Sequence, residues 1–286
     1  MFFRERDIVF QPPMHATHPD PEAGLPSLEA VRPPLKWAGG KRWQVQHLTG
    51  YWEQHKDSRL VEPFCGGLAV TLGLTPEKAL LNDINAHVIN FYRQLKKGLV
   101  ITIPMSKLEP KYYAARKRFN KLLESGESDT PEAASLFYYL NRTGYNGLCR
   151  FNASGGFNVP FGRYKTITYR TDFLEFKSVF KNWEFTNTDF EKIPLKAGDF
   201  VYADPPYDVE FTTYSKGGFS WSEQERTAEW LAKHDGPVLL SNQATKRIVD
   251  LYAGLGYKLQ FLDAPRRISC TGDRTPAPEV LASRNL

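Results

Sequence analysis

Short apolar runs alternate with stretches of helical periodicity along most of the chain. The apolar runs predict buried strands at residues 59–64, 78–81, 199–203, 237–240, 257–262 and 279–282. Helical spacing of apolar residues follows four of these runs, at 68–74, 86–97, 223–234 and 245–255. Such alternation is typical of an α/β fold with a largely parallel sheet. In that fold ligands bind at the carboxyl ends of the strands, so the residues after each strand are the first candidates for a functional site.

The alternation stops between residues 91 and 187. Helices are predicted at 105–124 and 131–141, and the stretch 143–168, rich in Gly, Asn and aromatic residues, predicts hairpins and loops. Residues 107–181 contain 13 Lys and Arg against 7 Asp and Glu. This charge is typical of a surface that binds a polyanion, although a solvated helix face would explain it equally well. We therefore expect a catalytic domain over residues 34–90 and 188–286, interrupted by a basic, mostly helical insert over residues 91–187.

The N-terminal segment, the length of the apolar runs and the cysteines indicate what kind of protein this is and where in the cell it is located. Residues 1–33 hold six prolines and no periodic pattern, which predicts a partly disordered N-terminal extension to which we assign no function. No apolar run reaches the ~18 residues that a membrane span requires. The three cysteines, Cys65, Cys149 and Cys270, are odd in number and too far apart for a metal motif, which indicates a reducing compartment. We expect a cytoplasmic protein that holds no metal ion.

A glycine pair and an acidic residue form the first candidate site. Gly66 and Gly67 follow a predicted strand and precede a predicted helix, where the lack of a Cβ lets a ligand approach the backbone. Asp83 ends the next strand, 17 residues after Gly66, a position suited to a carboxylate that accepts both ribose hydroxyls. A tight turn and a helix N-cap would explain the same residues. The spacing matches neither the dinucleotide fingerprint nor a phosphate-binding P-loop.

The most specific feature is the tetrad Asp204-Pro205-Pro206-Tyr207, which follows the predicted strand 199–203. Proline fixes its φ angle and donates no hydrogen bond, so the local carbonyl groups are held rigidly as acceptors. The Asp204 carboxylate and the Pro205 carbonyl can each accept one N–H of a planar –NH₂ group, while Tyr207 stacks on the ring. Such acceptors stabilise the positive charge that develops on the nitrogen as it attacks a methyl group. The tetrad alone leaves adenine or cytosine, and DNA or RNA, open.

Five segments, taken in their order, resemble the DNA adenine methylase (Dam) family of N6-adenine-specific DNA methyltransferases: Leu35–Lys41, Val61–Gly67, Asn82–Asn85, Tyr145–Tyr164 and Asp204–Tyr207. The resemblance implies a Rossmann-like methyltransferase sheet that uses S-adenosylmethionine, releases S-adenosylhomocysteine and carries residues 91–187 as a DNA-recognition domain with a β-hairpin. An Asp-Phe pair contacts the cofactor adenine in relatives, and 189–190 matches it better than 172–173. The implied cofactor-binding residues are Trp37, Lys41, Phe64, Gly66, Asp83, Asp189, Phe190 and Asp204.

The hairpin segment is especially similar to members that methylate GATC. The resemblance implies that Arg150 reads a guanine, Leu148 contacts a thymine methyl and Tyr145 wedges into the base stack. These roles agree with the groups that each base edge presents and with extrusion of the target base from the duplex. The remaining DNA-binding residues that the resemblance implies are Lys36, Asn146, Asn158, Pro160 and Arg163.

Two other functions remain open at this stage. An Asp-Pro-Pro-Tyr site could methylate RNA or a protein amide, and a basic insert on a silent catalytic domain could serve a DNA-binding regulator. The sequence leaves undecided whether the enzyme pairs with a restriction nuclease or acts alone. We expect a monomer that acts on duplex DNA.

Overall fold

The computed structural model describes residues 31–208, 219–264 and 277–286, so residues 1–30 of the predicted N-terminal extension lie outside the described part of the chain. The strands are β1 (Leu60–Glu62), β2 (Ala79–Asn82), β3 (Trp183–Thr186), β4 (Phe200–Ala203), β5 (Val238–Gln243), β6 (Lys258–Ala264) and β7 (Ala277–Arg284). The α-helices are α1 (Val45–Glu53), α2 (Thr71–Leu74), α3 (Ala86–Lys96), α4 (Glu109–Glu124), α5 (Pro131–Thr143), α6 (Leu174–Val179), α7 (Trp221–Ala232) and α8 (Lys246–Gly254).

The described strands form one sheet in the order β3-β2-β1-β4-β5-β7-β6. The first five run parallel, and β7 inserts antiparallel between β5 and β6. Strands β1, β2 and β4 are buried along their whole length, as expected for a sheet covered on both faces. The prediction of an α/β fold with a largely parallel sheet is confirmed.

Short polar side chains begin the helices that follow the central strands. Asn85 accepts hydrogen bonds from the backbone N–H groups of His87 and Val88 at the start of α3. Ser220 and Thr245 cap α7 and α8 in the same way. These caps satisfy N–H groups that have no partner within the helix, and they fix where each strand–helix loop ends at the carboxyl edge of the sheet.

Several boundaries differ from the sequence prediction. Pro110 lies in the first turn of α4, so this helix begins at Glu109 rather than at 105. The helix predicted at 68–74 shortens to α2, because Leu68 adopts a positive φ of 60°. Helices α1 and α6 were not predicted. Strand β3 lies inside the range predicted for the insert, yet it pairs with β2 and belongs to the sheet.

The insert helices pack directly on the sheet domain. Phe91 of α3 stacks on Tyr138 of α5 with ring centroids 5.5 Å apart and planes 5° from parallel. Apolar residues of α4 and α5 share one buried cluster with residues of β1, β2 and α3. The division into a catalytic domain and a recognition domain stays a prediction, since the apolar core is continuous between them. In the described part of the chain, no helix is both long and apolar enough to cross a membrane.

Candidate active site

A cavity of about 650 Å³ opens at the carboxyl ends of β1, β2 and β4. This is the edge at which open α/β sheets bind ligands, and the volume suits a ligand of nucleoside size. All the residues that the sequence analysis assigned to the cofactor line this cavity: Trp37, Lys41, Phe64, Gly66, Asp83, Asp189, Phe190 and Asp204. Pro205, Pro206 and Tyr207 line it as well.

The glycine pair after β1 makes room for a tryptophan. A Cβ on Gly66 would lie 2.6 Å from Nε1 of Trp37, and a Cβ on Gly67 would lie 2.7 Å from Cβ of the same residue. Gly66 also has a positive φ of 43°. Both glycines are therefore required by the close packing of Trp37 on the loop, a reason that differs from the ligand approach predicted from the sequence. The loop and Trp37 together form one wall of the cavity.

Asp83 directly follows β2 and contacts the glycine loop. Its two carboxylate oxygens accept hydrogen bonds from the backbone N–H of Gly66, at 3.0 Å, and of Asn85, at 2.9 Å. These bonds join the glycine loop to the start of α3 and hold the carboxylate in one orientation. Burial raises the pKa of Asp83, and the two N–H groups oppose that rise. Each oxygen keeps a further lone pair with which it could accept a hydroxyl group.

Aromatic rings close the cavity beyond Asp83. The ring of Phe64 lies 5.4 Å from that of Phe190 and 5.6 Å from that of Phe219. Arg226 of α7 lies 4.1 Å above the Phe190 ring and binds both carboxylate oxygens of Asp189, at 3.1 and 2.8 Å. The hydrogen bond from Arg226 lowers the pKa of Asp189. This apolar wall with a fixed carboxylate suits a purine, and Arg226 is a contributor that the sequence analysis missed.

Asp204 follows β4 and faces a buried lysine. The ammonium nitrogen of Lys41, a residue only 4% exposed, lies 3.0 Å from Oδ1 of Asp204. That oxygen is buried, whereas the Asp204 side chain as a whole is 21% exposed, so its accessible part faces the cavity. Burial raises the pKa of Asp204 to about 6, and the charge of Lys41 limits the rise. The carboxylate is thus available as an acceptor near neutral pH.

The rest of the tetrad is held from two sides. Gln224 of α7 donates a hydrogen bond of 2.7 Å to the Pro206 carbonyl and accepts one of 2.9 Å from Asn242 of β5. Both amide side chains are buried. The Tyr207 ring covers the ammonium of Lys41, whose nitrogen lies 4.2 Å from the ring centroid. The tetrad is therefore held by Lys41 and by Gln224 and Asn242, two residues that belong to no motif in the sequence.

Glu62, the last residue of β1, is a second acidic group of the cavity that the sequence analysis missed. It is buried and accepts a hydrogen bond from the hydroxyl of Thr71. Burial raises its pKa to about 8, and the bond from Thr71 opposes the rise. The signal that could have revealed it was the presence of a single acidic residue within an otherwise mostly apolar run predicted as a buried strand.

In the predicted recognition hairpin the backbone N–H of Asn158 donates to the Arg150 carbonyl, at 3.1 Å, and Phe151 and Phe157 form an isolated antiparallel bridge. The role of this segment in DNA recognition stays a prediction. Arg150 Nε also donates to the side-chain oxygen of Asn158, at 2.8 Å. Tyr145 is 51% exposed, and Arg163 lies 3.4 Å from Glu109. Of the predicted DNA-binding residues, some are exposed and others are half-buried. The exposed ones are Tyr145, Asn146, Arg150, Pro160 and Arg163, and the half-buried ones are Lys36, Leu148 and Asn158.

Lys36 links the hairpin region to the cavity. Its backbone N–H and C=O both bond to the side chain of Asn141 in α5, at 2.9 and 2.8 Å, and its ammonium lies 3.8 Å from the ring centroid of Tyr164. Burial lowers the pKa of Lys36, and Arg142 adds to the effect. Within six residues, the segment 36–41 therefore reaches from the insert to Asp204.

Comparison with known proteins decides the family. A sequence model described as "D12 class N6 adenine-specific DNA methyltransferase" matches residues 37–264. The chain belongs to this family. It is 34% identical over 264 residues to the "Retron Ec67 DNA adenine methylase" of Escherichia coli, covering 87% of this chain and 90% of that one. It is also 34% identical to the "DNA adenine methylase" of Escherichia coli strain K12, covering 87% and 93% of the two chains.

A larger relative matches as well. The "DNA N-6-adenine-methyltransferase" of Escherichia phage P1 is 35% identical over 275 residues, which cover 90% of this chain but 36% of the phage protein. The family shows that this chain is an adenine-specific DNA methyltransferase, and it implies that S-adenosylmethionine is the methyl donor. The alternatives of an RNA or protein methyltransferase and of a silent regulator are thereby set aside.

Proposed function

We propose that this enzyme methylates N6 of the adenine in GATC within duplex DNA, after the adenine has flipped out of the duplex into the cavity beside Asp204. The observation that carries this proposal is the position of the Asp204 carboxylate, which is ion-paired on one oxygen and faces the cavity with its accessible part.

The cavity fits S-adenosylmethionine. Asp83 would hold the ribose hydroxyls, Asp189 and the rings of Phe64 and Phe190 would hold the adenine, and Trp37 would pack along the ligand. When bound, S-adenosylmethionine supplies an electrophilic methyl carbon: the N–C bond forms as the C–S bond breaks, and the sulfur keeps the electron pair. The acidic groups that line the cavity suit the positively charged sulfonium.

Asp204 and the Pro205 carbonyl would accept the two N–H groups of the target amine. This arrangement directs the nitrogen lone pair toward the methyl group and stabilises the positive charge that forms on nitrogen. The nitrogen must then lose one proton, for which Asp204 is the nearest acceptor in the arrangement that we propose. Tyr207 lies beside this position and would stack on the flipped adenine.

Recognition of the GATC sequence would depend on residues of the hairpin. Asn158 holds the Arg150 guanidinium through Nε, at 2.8 Å from its side-chain oxygen, and through one terminal nitrogen, at 3.3 Å from its backbone carbonyl. The side chain is therefore oriented by the hairpin, and its terminal nitrogens would turn to O6 and N7 of a guanine when DNA binds. Tyr145 is exposed beside the hairpin. Its ring could therefore enter the base stack and fill the space left by an extruded base.

The test measures methyl transfer to duplex oligonucleotides that contain GATC or the same duplex with one base pair changed. We expect kcat/KM to fall at least about tenfold at each changed guanine. Arg150→Ala should abolish that preference at one guanine, whereas Arg163→Ala, at an exposed side chain, should weaken binding to all duplexes alike. Equal methylation of all duplexes by the unmodified enzyme would exclude the GATC proposal.

A further inference from the structure

Glu279 is a buried carboxylate close to the proposed catalytic site but outside every motif. It lies on the antiparallel strand β7, between Gln243 of β5 and Leu262 of β6. It is 5% exposed, its Oε2 is buried, and the interaction of its side chain with the Tyr207 hydroxyl contributes to raising the pKa of Tyr207. Burial of a carboxylate is costly unless opposite charge compensates it, so the groups around Glu279 should explain why it is there.

The compensating charge is Lys41, which is shared with Asp204. The Lys41 ammonium lies 3.9 Å from Oε1 of Glu279 and 3.0 Å from Oδ1 of Asp204. It also donates to the Gly39 carbonyl, at 3.3 Å, and lies under the Tyr207 ring. One buried cation is thus held between two carboxylates, and its remaining contacts fix it in place.

This sharing affects how well Asp204 can accept a hydrogen bond. A lysine paired with Asp204 alone would neutralise much of the carboxylate charge. Because Glu279 draws on the same ammonium, the cluster of two carboxylates and one cation keeps a net negative charge in a site of low dielectric constant, where charges act strongly on one another. Asp204 therefore retains more negative charge with which to accept a hydrogen bond from the target amine.

We propose that Glu279 is a positioning residue of the catalytic centre, which shares Lys41 with Asp204 and thereby keeps Asp204 a strong acceptor for the target amine. The inference rests on the proposed role of Asp204. It adds a residue from the closing strand of the sheet to the catalytic machinery.

The test is Glu279→Gln, which keeps the size of the side chain and removes its charge. The single-turnover rate of methyl transfer should fall about tenfold, while the dissociation constants for S-adenosylmethionine and for duplex DNA change less than twofold. Glu132→Gln, which removes a carboxylate from a surface ion pair with Arg118, is the matched control and should leave the rate unchanged.

The pH profile separates this role from a merely structural one. Asp204 is faced by Lys41 from the segment before α1, by Glu62 from β1, by Glu279 from β7, by Tyr252 from α8 and by Tyr202 and Tyr207 from its own strand and loop. Because Glu279 raises the pKa of Asp204 by repulsion, its removal should shift the acidic limb of the rate profile to lower pH, by about half a unit or more.

Glu279→Asp, which keeps the charge, should retain the position of the acidic limb and a rate within about fivefold of the unmodified enzyme. An acidic limb that stays in place in Glu279→Gln, or an equal loss of rate in Glu279→Asp and Glu279→Gln, would overturn the proposal. Asp204→Ala tests the proposed role of Asp204 separately from that of Glu279. If this variant transfers methyl groups within tenfold of the normal rate, the proposed role of Asp204 is wrong. If Asp204→Ala is inactive and Glu279→Gln behaves normally, only the role of Glu279 is wrong.

Discussion

Glu62 is the last residue of β1 and Asp204 follows the neighbouring strand β4, and burial raises the pKa of both carboxyl groups. Their surroundings nevertheless give them different pKa values. Asp204 has the Lys41 ammonium at 3.0 Å and a pKa of about 6, whereas Glu62 accepts a neutral hydroxyl from Thr71 and has a pKa of about 8. Near pH 7 the first carboxyl group is therefore mostly ionised and the second mostly protonated, which suits a site that needs one charged acceptor.

Glu62 should make the stability of the protein depend on pH. Its pKa is raised from 4.5 to about 8 on folding, so between these values the folded protein binds a proton that the unfolded chain has released. The free energy of unfolding should therefore be highest below pH 4.5 as far as Glu62 is concerned, and it should fall as the pH rises toward 8. Glu62→Gln removes this contribution. The decrease in the free energy of unfolding between pH 5 and pH 8 should therefore be smaller in this variant by about 1 kcal/mol or more.

Urea denaturation of the ligand-free protein at several pH values measures this effect. Glu132→Gln is the control, because its partner Arg118 lowers the pKa of Glu132 and confines its contribution to more acidic pH. If Glu62→Gln and the unmodified protein show the same slope between pH 5 and pH 8, Glu62 is ionised in the folded state and the interpretation is wrong.

At the scale of elements, one face of α4 holds the recognition hairpin. Tyr112 and Arg116 donate to the Val159 carbonyl, at 2.8 and 3.0 Å, and Asn120 exchanges two hydrogen bonds with the backbone of Phe157. These three residues are spaced four apart, so they lie along one side of the helix. The arm of the hairpin that carries Asn158 is thus attached to a rigid element, and Asn158 in turn orients Arg150.

This arrangement predicts that Asn158 affects sequence discrimination through Arg150. Asn158→Leu removes the acceptor for Arg150 Nε and leaves only the longer bond, of 3.3 Å, from a terminal nitrogen to the backbone carbonyl of residue 158, so the guanidinium is held less firmly. We expect the preference for the guanine that Arg150 reads to fall about threefold to tenfold, less than in Arg150→Ala, in kcat/KM measured on matched and altered duplexes. Ser154→Ala, at the exposed tip of the hairpin, is the control. Unchanged discrimination in Asn158→Leu would show that Arg150 is oriented by the DNA alone.

The elements that could be predicted from the sequence are those whose local pattern matches their surroundings. Strands β1, β2 and β4 are buried on both faces and are mostly apolar, with their one polar residue in β1 and in β2 at the end of the strand. The edge strand β3 was missed because polar residues alternate with its two buried aromatic residues, so that it contains no apolar run. The antiparallel pairing of β7 between β5 and β6 leaves no local pattern, so the approach of Glu279 to Lys41 could not be predicted.

The candidate site follows the same rule. Asp83, Asp204 and the glycine loop occur in short contiguous motifs at the ends of strands, and the structure places them around one cavity. Gln224, Arg226 and Asn242 support the site from other elements, as isolated polar residues in otherwise ordinary segments. Such partners are chosen by tertiary packing, and only the folded chain shows them.

At the scale of the whole molecule, the segment 36–41 joins the predicted recognition hairpin to the cavity that we propose as the methyl-transfer site. Lys36 is attached to α5 and packs closely on Gly147 beside the hairpin, Trp37 packs on the glycine loop, and Lys41 pairs with Asp204. The apolar core is continuous from the sheet into the insert. A duplex bound at the hairpin would therefore contact a body that is rigidly connected to the methyl-transfer site.

The most direct test of the account is nucleoside analysis of duplex DNA after reaction with the unmodified enzyme and with Asp204→Ala. The account predicts N6-methyladenine with the unmodified enzyme. For Asp204→Ala it predicts a single-turnover rate at least about a hundredfold lower, roughly 2.7 kcal/mol of barrier, with binding of DNA and S-adenosylmethionine retained within threefold. Methylated cytosine, or transfer by Asp204→Ala within tenfold of the normal rate, would contradict it.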